Sequence, residues 1–324
     1  MKNVAVFLLA YSLAAPGLAR DLRTAQFLKE VEPGFTQLYN LDYAEAEKSF
    51  TALRTRFPNH PGPPLYLAGL IWQREMFERQ DMKLERFIAP GYFTQPSTRA
   101  MPPAERERFF RFVKESQAIS SAILARAPRD YDARYFLGAS SAVLGSFAFT
   151  IDHNKTQAFR YGKHAYQTHL AIVTEKPDYY DAYVTVGVYE YVVASLPWYL
   201  KWMARIAGYH GSKERAFKFL ELAAQRSRFV NDDARLLLMV FDVRDRRSEQ
   251  ALSYATLLHS RFPRNFLLEL NRGQILERMD RKPEAAEVYR QVLRKAQSGI
   301  PNYDKMPDAF RETIRKAVER PADE

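Results

Sequence analysis

Apolar residues recur along most of the chain at the three- and four-residue spacing of an amphipathic helix. Ala285, Tyr289 and Leu293, for example, are four residues apart and so share one helix face. No segment shows the alternation of apolar and polar residues that is typical of a β-strand. Capping residues and proline or glycine breakers set the helix ends. The predicted helices span 22–40, 43–57, 63–87, 103–126, 131–151, 155–175, 180–195, 212–227, 232–244, 247–261, 266–279, 283–297 and 306–318.

A small residue lies at a fixed distance after four prolines of the chain. Ten residues after Pro58, Pro128, Pro177 and Pro263 lie Ala68, Gly138, Gly187 and Gly273. In the two simplest copies an alanine comes twelve residues after a glycine and an aromatic residue four later, as in Gly34, Ala46, Phe50 and in Gly273, Ala285, Tyr289. This phase resembles the tetratricopeptide repeat, a 34-residue pair of helices.

The resemblance implies an all-α fold, an α-solenoid of about six helical hairpins. Small residues let paired helices approach closely, and a large neighbour fills the space beside them. The last predicted helix carries charges of both signs from Arg311 to Arg320, which suits a C-terminal capping helix with a polar outer face.

Three hairpins are longer than the repeat. In the regular copies, 12 residues separate the small residue of the first helix from the small residue of the second helix. This interval is 48 residues in 68–116, 27 residues in 138–165 and 29 residues in 187–216. We therefore expect insertions of 36, 15 and 17 residues between the helices of hairpins two, three and four. They should project from one edge and contribute to one aromatic cluster, with Tyr92, Phe93, Phe147, Phe149, Trp198 and Trp202.

One stretch resembles a narrower group. It consists of Gly187, Ser195-Leu196-Pro197, Leu200-Lys201, Gly208, Gly211, the helix Lys213 to Ala224, and Asp232-Asp233-Ala234-Arg235. This pattern resembles a branch of exported bacterial tetratricopeptide proteins and is more distantly similar to the eukaryotic inclusion-body-clearance repeat family. The resemblance covers about 180–297 and implies a binding or adaptor role.

The N-terminus has the pattern of a secretory signal. Lys2 precedes an apolar run, Val4 to Ala15, that is too short to cross a membrane, and small residues lie at Gly17 and Ala19. We expect cleavage after Ala19, which leaves a single helical domain over 20–324. The alternative is a buried first helix, which Pro16-Gly17 would break.

The composition excludes several kinds of catalytic and metal-binding site. The chain of 324 residues has no cysteine, which excludes thiol nucleophiles, disulfides, cysteine zinc sites and a lipid anchor on an N-terminal cysteine. The six histidines, His60, His153, His164, His169, His210 and His259, lack metal-ligand spacing, and no phosphate loop or nucleophile elbow occurs. Glu190 is the one carboxylate on an otherwise apolar helix, where pairing with a lysine or arginine is commoner than catalysis.

Two regions carry candidate binding residues. The segment 197–207 places Trp198 and Trp202 on an apolar stripe and Lys201 and Arg205 on another face, as in a helix that docks a peptide or a membrane surface. The alternative is that it packs across the end of the stack, with its aromatic residues in the core.

The second region is the concave face, which the first helix of each pair lines in tetratricopeptide domains. The resemblance places there Phe35, Tyr39, Trp72, Tyr135, Val188 and Tyr191. An apolar groove suits a peptide or lipid-like ligand, unless the inserted helices fill it and bury these side chains. Positions that bind a C-terminal carboxylate in related domains hold Val31, Phe35 and Leu65, which disfavours that function.

The sequence therefore predicts an exported, periplasmic or secreted scaffold that is not an enzyme and uses no metal or cofactor. It should dock a protein or extended peptide through the groove and the inserted loops. The net charge of +10 favours an acidic partner, and the tryptophan segment allows peripheral membrane contact. A nucleic-acid partner is not expected. Phe109, Phe112 and Val113 have helical spacing and should face the protein interior, so they are not placed to stack on bases beside the neighbouring arginines. The alternative is a carrier or sensor of an apolar small molecule or lipid, held between the Tyr135 to Tyr191 wall and the Trp198 helix.

Overall fold

The computed structural model describes residues 22–85, 99–198, 201–202 and 210–319, and these residues form α-helices without a strand. A short 3₁₀ turn, Tyr180–Ala182, precedes the seventh helix. The α-helices are α1 Ala25–Tyr39, α2 Tyr43–Arg56, α3 Gly62–Glu78, α4 Pro103–Arg126, α5 Tyr131–Thr150, α6 Lys155–Glu175, α7 Tyr183–Ala194, α8 Lys213–Arg226, α9 Asn231–Arg244, α10 Ser248–Arg261, α11 Phe266–Arg278, α12 Lys282–Gln297 and α13 Asp308–Glu319.

The helices form six hairpins, α1/α2, α3/α4, α5/α6, α7/α8, α9/α10 and α11/α12, and each hairpin packs on the next. Helix α13 packs on α12 and buries Phe310 and Ile314. This arrangement confirms the predicted α-solenoid with its capping helix. One predicted boundary was wrong by many residues: the third helix ends at Glu78 rather than at 87.

The predicted packing of small against large residues is present in the first and last hairpins. A Cβ atom added to Gly34 would lie 2.4 Å from the Phe50 ring, and one added to Gly273 would lie 2.3 Å from the Tyr289 ring. Ala46 is fully buried and Ala285 almost so. The glycine therefore provides the space that the aromatic ring of the second helix occupies.

The middle hairpins keep this geometry with other residues. His169 takes the position of the ring against Gly138, and Leu220 takes it against Gly187. Burial lowers the pKa of His169 to about 4, so the imidazole is neutral and its Nε2 donates to the carbonyl of Tyr135 at 2.9 Å. In hairpin five the two sizes are reversed: Met239 holds the small-residue position, Ala255 holds the position of the ring, and both belong to one buried cluster.

The turns inside five hairpins use a residue in the left-handed conformation, where glycine is commonest. These residues are Leu41, Gln80, His153, Arg246 and Asp280, with φ of 66°, 57°, 51°, 60° and 59°. In the first turn the amide of Asp42 donates to the carbonyl of Gln37 at 2.9 Å, which closes the end of α1. The chain therefore ends these helices without the glycine that usually indicates such an end.

The insertions lengthen helices and pack together in part. In hairpin three, α5 and α6 have 20 and 21 residues, against 15 and 14 in hairpin one. Phe147 at the extended end of α5 stacks on Phe109 of α4 at 4.1 Å and is fully buried. Trp198 and Trp202 are exposed instead, so neither ring belongs to a buried cluster. Tyr92 and Phe93 lie outside the described residues.

The N-terminal hairpin contacts the opposite end of the chain. The side-chain amide of Asn265 donates to the carbonyl of Tyr39 at 2.7 Å, and the backbone amide of Arg264 donates to Asn40 Oδ1 at 3.0 Å. Asn302 Nδ2 donates to the carbonyl of Asn40 at 2.7 Å. The solenoid therefore curls until its first hairpin meets its last. We call the contacts that residues 22–42 make with later hairpins the closure.

Replacing Ala285 with leucine tests the packing of hairpin six. We expect a loss of about 1–3 kcal/mol in the free energy of unfolding, because the added atoms must enter a filled helix crossing. The matched control is Ala44→Leu, at an exposed alanine of α2, which should change stability little. Chemical denaturation of both variants gives the comparison, and equal stabilities would contradict the repeat phase.

Candidate functional site

The concave groove expected from the sequence is occupied by the protein itself. Tyr39, Tyr135 and Tyr191 are only 8%, 6% and 2% exposed. Phe35 is partly buried, and its ring contacts that of Tyr66 at 4.8 Å. These side chains are core residues, which corrects their placement on an open binding surface.

The N-terminal segment explains the filled groove. The amide of Leu22 donates to Asp132 in the first turn of α5 at 3.1 Å, and Arg23 pairs with Asp181 before α7 at 3.0 Å. At the other end of α1, Tyr39 stacks obliquely on Phe262 at 4.8 Å. The two ends of helix α1 thus lie against later hairpins.

Trp72 and Val188 are also held inside the fold. Trp72 Nε1 donates to the hydroxyl of Thr150 at 2.8 Å, which ties α3 to the extended end of α5. Val188 is partly buried and packs against the core cluster of hairpins three to five. Neither side chain offers a continuous docking surface.

A buried charge cluster lies in the closure. Arg23 is 2.7 Å from Asp132 and 3.0 Å from Asp181, and its guanidinium lies 3.8 Å from the centre of the Tyr179 ring. Burial raises the pKa of Asp181, and the amides of Phe229 and Arg228 together with Arg23 oppose that rise. Sequence reasoning missed this cluster, because its members are far apart in the chain and share no motif.

A second carboxyl, that of the partly buried Asp233 in α9, interacts with Tyr39 at the end of α1. Burial raises its pKa to about 6, and a hydrogen bond from the Tyr39 hydroxyl opposes the rise. Both interactions join the N-terminal helix to a distant hairpin. The cluster is best explained as a structural support of the closure.

Arg23→Ala should lower the free energy of unfolding by about 3–5 kcal/mol, because it leaves two buried carboxylates without their cation. The control is Arg56→Ala, whose pair with Glu30 involves a largely exposed guanidinium and should contribute about 1 kcal/mol or less. Urea unfolding of the two variants measures the difference. Similar small losses would show that the closure does not depend on Arg23.

The end of hairpin four offers a different surface. Trp198, Trp202 and Val192 are 82%, 64% and 51% exposed. The amide of Lys201 donates to the carbonyl of Pro197 at 2.8 Å, which is one turn of helix, so the two tryptophans lie one turn apart. We call Val192, Trp198, Lys201 and Trp202 the tryptophan edge. Arg205, which was expected to join them, lies outside the described residues.

The segment just before α8 packs closely against α7. Glu190 Oε2 accepts hydrogen bonds from the amide of Ser212 and from Arg215 Nη2, both at 2.8 Å. A Cβ atom on Gly211 would lie 2.4 Å from the backbone nitrogen of Ala194. The pairing of Glu190 with a basic residue is confirmed, and it anchors the end of the insertion to α7.

Basic side chains flank this anchor. Lys213 Nζ lies 2.6 Å from Asp245 Oδ1, to which the Tyr191 hydroxyl also donates at 2.9 Å. Arg247 Nε lies 3.1 Å from the fully buried Asp242, and burial raises the pKa of that carboxyl to about 6. The end of α7, the start of α8 and the turn after α9 therefore meet at one place.

The described residues show neither a metal cluster nor a membrane span. No three histidine, aspartate or glutamate side chains among them are placed to hold a metal ion. Within the same ranges, every helix is too short or too polar to cross a bilayer.

Gly211→Ala tests the anchor of the tryptophan edge. We expect a loss of about 1–3 kcal/mol, because the new methyl group would clash with the backbone of α7. Gly162→Ala in α6 is the control, since its added Cβ would meet nothing within 4 Å, and it should stabilise the helix by about 0.5–1 kcal/mol. Opposite shifts in melting temperature are expected, and a neutral Gly211→Ala would contradict the close contact.

Residues 242–300 match the family model of the tetratricopeptide repeat. This stretch runs from the end of α9 to the residues just after α12, where the sequence phase was most regular. That part of the chain therefore carries the predicted repeat. No curated protein is similar enough to the chain to be identified as a relative.

Proposed function

We propose that the protein is a non-enzymatic scaffold that docks another protein on the tryptophan edge. The observation that carries this proposal is the exposure of Trp198 and Trp202, while Trp72 is partly buried and hydrogen-bonded. Tetratricopeptide repeats generally mediate contacts between proteins, which favours a protein partner over other ligands.

The energetics of exposed tryptophan support a docking role. Burying a large apolar side chain contributes about 1.5–3 kcal/mol, a gain that the isolated chain does not obtain from Trp198 and Trp202. Tryptophan is also enriched among the residues that dominate binding energy in protein interfaces. A partner that covers both rings would recover this free energy.

The carrier function has less support. Its expected wall contains Tyr191, which stacks on Phe241 at 3.7 Å, and Tyr135, which stacks on His169 at 5.0 Å. Because these rings pack against the protein itself, an apolar ligand would have to displace core contacts. The tryptophan edge needs no such rearrangement.

We further propose that the protein acts in the cell envelope after export. The proposed signal, residues 1–19, lies outside the described residues. The mature protein should begin at Arg20, which mass spectrometry of the folded protein isolated from its native cells would show. Recovery of the chain with Met1 to Ala19 intact would contradict export by this route.

A photoreactive amino acid in place of Trp198 tests the docking proposal in the native cells. We expect a discrete cross-linked protein, identified by mass spectrometry. The matched control places the same group at Leu257 of α10, another exposed apolar position, where that product should be absent. Cross-linking to lipid alone, or the same products from both sites, would overturn the proposal.

The double variant Trp198→Ala, Trp202→Ala separates docking from folding. Because both rings are exposed, it should melt close to the parent protein. A photoreactive group at Val192 should capture the partner in the parent and lose it in the double variant. A loss of several kcal/mol in stability would instead show that the rings belong to the core.

A further inference from the structure

The charges around the end of α7, from which the chain continues to Trp198, have their acidic groups inside and their basic groups outside. The carboxylates of Glu190 and Asp242 are 5% and 0% exposed, whereas their partners Arg215 and Arg247 are 52% and 37% exposed. Asp245 is likewise more buried than Lys213, which pairs with it. In each of these three pairs the carboxylate is more buried than its basic partner. Arg247 also lies 3.7 Å from Glu221, whose side chain is 43% exposed.

Further basic residues belong to the same region. Arg246 is exposed in the left-handed turn after α9, next to Asp245, which joins that turn to Tyr191 and Lys213. Lys201 lies between the two tryptophans in sequence and is partly buried. A docking segment with basic side chains would meet like charges here, whereas carboxylates would be attracted.

We infer that the partner presents an acidic amphipathic segment, with large apolar side chains on Trp198 and Trp202 and carboxylates toward Lys201, Lys213, Arg246 and Arg247. This inference rests on the proposed docking function and adds the chemistry of the partner. The net charge of +10 acts in the same direction at longer range.

The geometry favours carboxylates of a protein over an anionic membrane. Lys213, Arg215 and Arg247 are held at 2.6, 2.8 and 3.1 Å from carboxylates of the fold. Because their positions are fixed, they suit discrete groups at defined spacings. Lipid headgroups are the competing source of negative charge, and the experiment separates the two.

The test uses tryptophan fluorescence of the full chain carrying Trp72→Phe. The chain has three tryptophans, so the emission then reports on Trp198 and Trp202 alone. The probes are a synthetic amphipathic helix of leucine and glutamate, its glutamine and lysine versions, and vesicles of phosphatidylglycerol or phosphatidylcholine. Circular dichroism and melting of the Trp72→Phe chain confirm that it is folded.

We expect the glutamate peptide to shift the emission to shorter wavelength and to bind at least about tenfold more tightly than the glutamine peptide. The lysine peptide should produce no shift. Lys201→Glu with Arg246→Glu should weaken binding of the glutamate peptide about tenfold or more, and added salt should weaken binding to the parent. The control, Arg315→Glu with Lys316→Glu on α13, changes the net charge equally and should have little effect.

The other outcomes are also informative. Equal binding of the glutamate and glutamine peptides, or no shift with the glutamate peptide, would overturn the acidic-partner inference. The cross-link at position 198 could still be present, and the docking function would then stand. A shift with phosphatidylglycerol vesicles alone would assign the edge to a membrane and overturn the inference. Loss of the protein cross-link would overturn the docking function independently.

Discussion

The pairing of Arg23 with Asp132 and Asp181 is the contact on which the arrangement of this solenoid depends. It places the beginning of α1 against the starts of α5 and the 3₁₀ turn before α7, and so directs α1 across the inner face. Removing charges from water is costly, so the cluster requires the full set of hydrogen bonds that it receives from Tyr179 and the Arg228 and Phe229 amides.

The closure also changes how the hairpins depend on one another. In an open solenoid each repeat contacts only its neighbours, and stability is approximately a sum of local terms. Here Asn302 bonds to Asn40 and Asp42, and Asn265 bonds to Tyr39, across more than 200 positions of sequence. The first and last hairpins therefore stabilise each other, and unfolding should be more cooperative than in an open stack.

The features predicted correctly from the sequence are those with a local physical cause. Gly34 with Phe50 and Gly273 with Tyr289 reveal the hairpins, because a missing side chain and a large one must face each other at a helix crossing. Hairpin five lacks this signal, because the large Met239 holds the position of the small residue and the small Ala255 holds the position of the ring. The closure gave no signal at all, since no periodicity relates Arg23 to Asp181. The sequence left open whether Tyr39 and Tyr135 are buried, and it gave no sign of their contacts with the N-terminal segment and distant hairpins.

The tryptophan edge follows from how the insertion of hairpin four is attached. Glu190 and Gly211 hold its return segment against α7. Trp198 and Trp202 are largely exposed, while Tyr191 and Phe241 stack in the neighbouring core. A surface whose flanking backbone is already ordered loses less conformational entropy on binding than a mobile loop. This preorganisation favours the proposed use of the two exposed rings as anchors for a partner.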